Sequence, residues 1–178
     1  MVVPAALDAL LDRLVRDVPD YPRPGIVFKD ITPLLAEPAG FTAVVDALVA
    51  SREPGPVDAV VGIEARGFIL AAPVAYLLHA GFVPVRKKGK LPSATLEQSY
   101  SLEYGEATLE IHADAFAPGA RVLVVDDVLA TGGTAAATAD LVRRAGGTVV
   151  GLSVLLELTF LDGRSRIPEL PLHALRSV

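Results

Sequence analysis

Three runs, at 58–63, 121–125 and 148–156, are apolar almost without interruption, and stretches with helical spacing lie between them. A strand with one wet face alternates apolar and polar residues. A strand that is apolar throughout must be covered on both faces, and a helix after each strand supplies that cover while returning the chain to start a parallel neighbour. The expected fold class is therefore α/β, a central, mostly parallel sheet flanked by helices. The helical stretches fall at 41–51, from about 67, and at 134–145, with a further strand at 82–85. At the N-terminus Leu7, Leu10, Leu11, Leu14 and Val15 form one stripe opposite Asp8, Asp12, Arg13, Arg16 and Asp17, which predicts an amphipathic helix over 7–18. Pro19, Pro22 and Pro24 cannot continue it and lead into an extended piece at 26–31. With 178 residues and no repeat or dividing linker, the expectation is one domain, 1–178.

Composition removes several alternatives. The chain has no Cys, so disulfide scaffolds, thiolate metal sites and a nucleophilic thiol are ruled out. A net charge of −5 supplies no overall basic face for counterion release, which argues against nucleic acid as a partner. Hydrophobic residues make up 52%, so the uncharged run 67–85 must be tested as a membrane span. Pro73, His79 and Gly81 interrupt it, and it reads as a buried helix ending near Gly81 and then a buried strand. The N-terminal stretch lacks the pattern of a signal peptide, and a cytoplasmic location is expected. One segment, 91–105, is polar and without a clean period; it predicts a long loop or irregular hairpin of the kind that serves as a lid.

The most informative stretch runs from Val122 through Asp126, Asp127, Ala130, Thr131, Gly132 and Gly133 to Thr134. An apolar strand ends in two adjacent carboxylates, and glycines then open a helix, which is where open α/β sheets bind ligands. Backbone N–H groups turned inward by the glycines, with the helix N-terminus and two threonine hydroxyls, make a cradle for a phosphate monoester. Vicinal hydroxyls suit the carboxylates, so a sugar phosphate is the indicated guest; a solvated acidic pair on a tight turn is the plainer alternative. Gly-x-Gly-x-x-Gly after a strand and Gly-Lys-Ser/Thr are both missing, which disfavours dinucleotide and P-loop sites.

This stretch resembles the phosphoribosyl pyrophosphate signature of the type I phosphoribosyltransferases, and the resemblance, running from roughly 20 to 164, is narrowest with their adenine-specific branch. It implies that Ala130 to Thr134 hold the 5′-phosphate and that Asp126 and Asp127 hold the ribose hydroxyls. Glu64-Ala65-Arg66-Gly67 is similar to the pyrophosphate loop of that family, and the planar fork of Arg66 suits bidentate phosphate recognition. Farther along the chain Arg86, Lys87, Lys88 and Lys90 gather four cations where a strand closes before the lid; Arg86, Lys87 and Lys90 are the ones expected to meet pyrophosphate. In related enzymes such a segment reaches a neighbouring subunit, which implies a homodimer. A polyanionic leaving group calls for Mg²⁺, held mainly by substrate oxygens and water and not by a protein cage.

Residues 24–31 resemble the adenine hood of the family, contributed by about 20–35. The resemblance implies that Phe28 stacks on the purine, that the backbone of Val27 and Lys29 reads its edge, and that Leu158 covers the other face. From its chemistry alone Phe28 would be core. The lid, 91–105, resembles the catalytic loop of the family and implies a proton-handling role for Glu103, with Tyr104 closing over the reacting bond. The expected reaction joins adenine to phosphoribosyl pyrophosphate, giving AMP and pyrophosphate. The rivals are a related enzyme for hypoxanthine, guanine or xanthine, and a sensor that keeps the site but not the catalysis.

Overall fold

The computed structural model describes residues 5–101 and 106–178. The chain divides into two compact units, Met1–Ala47 and Leu48–Val178.

In the first unit α1 (Ala5–Leu14) buries Leu7 and Leu11, each worth about 1.5–3 kcal/mol of apolar burial. The helix is shorter than the 7–18 stripe suggests. Its ladder closes with the Val15 N–H donating to Leu11 O, and Arg16 belongs instead to β1 (Arg16–Pro19), antiparallel to β2 (Val27–Asp30). Cross-strand pairs account for the change: Arg16 meets Asp30 at 2.7 Å and Lys29 meets Asp17 at 2.7 Å, contacts that no helix over 16–18 could make. Two helices follow, α2 (Thr32–Ala36) and α3 (Pro38–Ser51).

The second unit is built on a seven-stranded sheet in the order β5-β6-β4-β3-β7-β8-β9. Its strands are β3 (Ala59–Ile63), β4 (Gly81–Lys87), β5 (Thr95–Ser101), β6 (Glu106–His112), β7 (Arg121–Leu129), β8 (Thr148–Glu157) and β9 (Leu172–Ser177). The four pairings among β4, β3, β7, β8 and β9 are parallel, and β6 joins β4 and β5 antiparallel. The mostly parallel α/β expectation holds. The fully buried β3 and the buried run of β7 take cover from α4 (Arg66–Leu77), while α5 (Gly133–Arg144) lies along β5, β6 and β8.

The run 67–85 becomes α4 followed by β4, and among the described residues no helix is long and apolar enough to cross a membrane. The residue that turns left-handed after α4 is His79, φ 53°, and not Gly81. Over 95–101 the polar segment is a regular ladder against β6. Leu96 and Tyr100, on one face of β5, pack on the core while Glu97 and Ser99 stay exposed, an alternation that short polar side chains hide in the sequence.

Candidate active site

The sequence places the carboxylate pair at the end of the strand, but β7 continues to Leu129, so the pair lies within it. Pairing with β3 stops at Val125, however, and only β8 accompanies β7 farther, so that edge is free where the carboxylates begin. The N-terminus of α4 comes close there. A methyl group on Gly67 would lie 2.7 Å from Asp126 Oδ1 and 3.1 Å from Val125 O, so glycine is what permits the approach. Arg66, the first residue of α4, sets its guanidinium 2.8 Å from Asp127 Oδ2. The contact is ionic; no aligned hydrogen bond reaches that oxygen.

Asp126 accepts from the Asp127 N–H at 2.9 Å. Burial and then the neighbouring Asp127 charge push the Asp126 carboxyl well above the usual range. Burial raises Asp127 as well, and the Arg66 guanidinium only partly offsets it. A buried pair whose charge is only partly answered fits partners that donate, such as sugar hydroxyls or the water shell of a cation.

Beyond the strand, Gly132 adopts φ 78° as the cap of α5, and the first intrahelical bond runs from the Ala136 N–H to Gly132 O. The N–H groups of Gly133, Thr134 and Ala135 are therefore left over at the positive end of the helix. Thr134 and Ala135 line an open recess together with Asp126, Ala130, Thr131 and Gly132, with Leu152 and Val154 among its apolar wall. The predicted cradle and acidic pair are thus brought together. The cradle is also braced from outside: a methyl on Gly163 would run into Ala130 O, and one on Gly132 into Gly163 O. The Gly163–Arg166 turn is held in turn by Arg164, which donates to both oxygens of the buried Glu157 at 2.9 and 2.7 Å. Gly67, Gly163, Glu157 and Arg164 serve the site through shape, and of these only Gly67 stands in a motif that the sequence marks.

Glu64 and the basic segment also converge. Glu64 Oε2 accepts from Arg86 Nε at 3.1 Å and from the Lys87 N–H at 3.2 Å, and the peptide between Glu64 and Ala65 is cis. Arg86 reaches Lys90 O at 3.1 Å, and the N–H groups of Lys90 and Leu91 donate to Glu110 at 2.7 Å each. Burial pushes Glu110 up, yet the Leu91, Gly89 and Lys90 N–H groups outweigh it and leave the carboxyl below its ordinary value. Leu158 follows β8 directly and donates its N–H to Leu129 O, which sets it at the carboxyl end of β7 and β8. Val27, Phe28 and Lys29 lie on β2 of the N-terminal unit, where Phe28 packs edge-on against Tyr21 with centroids 5.2 Å apart. Glu103 and Tyr104 lie outside the described residues.

Comparison with known proteins accords with this geometry. The phosphoribosyl transferase domain model matches residues 31–170. The adenine phosphoribosyltransferase of Acidothermus cellulolyticus is 70% identical over 93% of each chain, and that of Thermobifida fusca is 63% identical over 97% of this chain and 98% of its own. The chain belongs to the adenine phosphoribosyltransferase family. Among solved structures, the family member from Rhodothermus marinus superposes with a TM-score of 0.92 at 55% identity, covering 97% of this chain and 98% of its own. The Saccharomyces cerevisiae enzyme, complexed with an imino-altritol bisphosphate and adenine, gives 0.90 at 36% identity, covering 97% and 99%.

Proposed function

We infer that this protein catalyses the transfer of a 5-phosphoribosyl group from its pyrophosphate to adenine, yielding AMP and pyrophosphate, a pentosyl transfer of purine salvage. The β7–α5 junction carries the reading on the structural side, because it sets an anion cradle beside a donor-poor carboxylate pair. Ala130, Thr131, Gly132, Gly133 and Thr134 hold the 5′-phosphate, and Asp126 and Asp127 take the ribose hydroxyls. Glu64, Ala65, Arg66, Arg86, Lys87 and Lys90 form the pyrophosphate end. Arg66 is the residue whose charge matters most as the anomeric bond stretches, since a fixed donor acts where negative charge develops. Val27, Phe28, Lys29 and Leu158 bind adenine, Glu103 handles the proton of the purine, and Tyr104 shields the reacting bond from water.

Mg²⁺, held mainly by pyrophosphate oxygens and water, would neutralise part of the leaving group's charge. The carboxylates that burial leaves short of donors suit its water shell as well as the ribose. We place the whole chain, 1–178, in one catalytic unit with a hood at about 20–35 and a lid at about 91–105, working in the cytoplasm as a homodimer. The exposed apolar side of α4, where Ile69, Tyr76 and Leu77 face outward, supports a partner subunit.

The test is formation of AMP and pyrophosphate by purified protein given phosphoribosyl pyrophosphate, Mg²⁺ and, in turn, adenine, hypoxanthine, guanine and xanthine. Turnover with adenine alone is expected. Turnover with a 6-oxo purine would overturn the assignment of Val27 to Lys29, and tight binding of phosphoribosyl pyrophosphate without turnover would favour a sensor.

A further inference from the structure

Thr134 does more than border the cradle. Its Oγ1 donates to the Tyr100 phenol oxygen at 3.1 Å, and Tyr100 belongs to a different element, β5. The contact is firmly framed. The Tyr100 ring packs on the core, its backbone lies opposite Ala107 in the ladder with β6, and β5 is tied to the far end of the same helix by Arg144. That guanidinium donates to Glu97 O at 2.8 Å and to Gln98 Oε1 at 3.0 Å. One strand thus holds α5 near both ends, at Thr134 and at Arg144.

We propose that the Tyr100 hydroxyl is the outer member of a hydrogen-bond relay that aims the Thr134 hydroxyl at the bound phosphate, which makes Tyr100 a positioning residue for phosphoribosyl pyrophosphate. This rests on the reading of residues 130–134 as the phosphate cradle. A threonine hydroxyl has one proton and two lone pairs. Facing an anion it must give the proton to the anion, and its lone pairs are then free to accept. The Tyr100 phenol stands within reach to donate to them. Rotation of two hydroxyl protons converts the observed order into Tyr100 O–H to Thr134 Oγ1–H to phosphate oxygen, with no displacement of heavy atoms. Each donor in such a chain polarises the next. The relay acts on binding of the phosphate, remote from the anomeric carbon, so its loss affects the KM for phosphoribosyl pyrophosphate and not the KM for adenine.

The experiment compares wild type, Tyr100→Phe, Thr134→Val and the double variant. It reads kcat, both KM values and inhibition by ribose 5-phosphate, which carries the phosphate without the pyrophosphate. Tyr100→Phe removes one oxygen and keeps the ring. It should raise the KM for phosphoribosyl pyrophosphate and the ribose 5-phosphate inhibition constant about 3- to 10-fold, the range for one lost hydrogen bond. The adenine KM should stay put. In the Thr134→Val background the same change should add less than about 1.5-fold, since the relay is already broken. An unchanged or tighter KM in Tyr100→Phe would overturn the relay, as would a full effect persisting without the threonine hydroxyl. If Thr134→Val itself leaves ribose 5-phosphate binding untouched, the phosphate reading of the cradle fails, and the relay with it.

Discussion

Asp30 and Asp126 are both carboxylates of β-strands, yet their surroundings drive them in opposite directions. The Thr32 N–H at 2.9 Å, the Thr32 hydroxyl at 2.7 Å and then Arg16 hold Asp30 down at about 2. Asp126 has its neighbour's N–H and is otherwise buried beside a second acid, which pushes it up. The N-terminal hairpin answers its charges from its own residues, whereas the β7–α5 junction leaves its charges partly unanswered. A carboxylate supplied with donors stabilises the fold. One deprived of them costs stability and is available to a ligand that donates.

Removing Arg66, the cation paired with Asp127, should give the largest effect. Arg66→Ala should lower turnover roughly 10²–10³-fold, measured as kcat at saturating substrates, if the guanidinium acts on the departing pyrophosphate. An unaffected kcat would remove Arg66 from the chemistry and leave it only as the partner of Asp127.

Next comes the external bracing of the cradle. Gly163→Ala should raise the KM for phosphoribosyl pyrophosphate about 10- to 100-fold, because overpacking of about 1–3 kcal/mol falls on Ala130 and Gly132. An unaltered KM would mean that the cradle yields without loss.

Asp126→Asn separates stability from function. With its carboxyl raised in the folded state, Asp126 contributes most below its unfolded value near 4, and that contribution is lost as pH rises toward the folded value. The amide imitates the protonated acid. The variant should therefore match wild type in acid and melt about 2–4 °C higher at neutral pH, while its KM for phosphoribosyl pyrophosphate rises. A lower melting temperature at neutral pH would show that the pair is well compensated and break the contrast.

The smallest effect has the opposite sign. A carboxyl held at about 2 contributes stability above the unfolded value near 4 and loses it as pH falls toward 2. Asp30→Asn should melt about 2–4 °C lower than wild type at pH 7, with the gap closing between about pH 4 and 2 and activity toward saturating substrates little changed.

Much of this was readable beforehand for a specific reason. The runs of β3, β7 and β8 are buried on both faces, so nearly every residue must be apolar and the local signal is strong. Asp126 to Thr134 are equally legible, since strand, acids, glycines and helix follow one another in the chain and their spacing is their geometry. Over 16–18 helical periodicity misled, because the Arg16–Asp30 and Asp17–Lys29 pairs that select a strand join residues more than ten positions apart. β6 and β9 lie outside the runs that the apolar pattern marks, although both complete the sheet.

The sequence by itself determined the α/β class and the succession of strand, acids, glycines and helix that we propose as the phosphate site, because each depends on neighbours along the chain whose order imposes their positions. Only the tertiary structure decided that Arg66 meets Asp127, that Gly163 wedges against the cradle and that Tyr100 reaches Thr134. These contacts join residues 61, 31 to 33 and 34 positions apart. No local propensity encodes such approaches; they come into being when the strands take their order in the sheet and the helix ends converge at one edge of it.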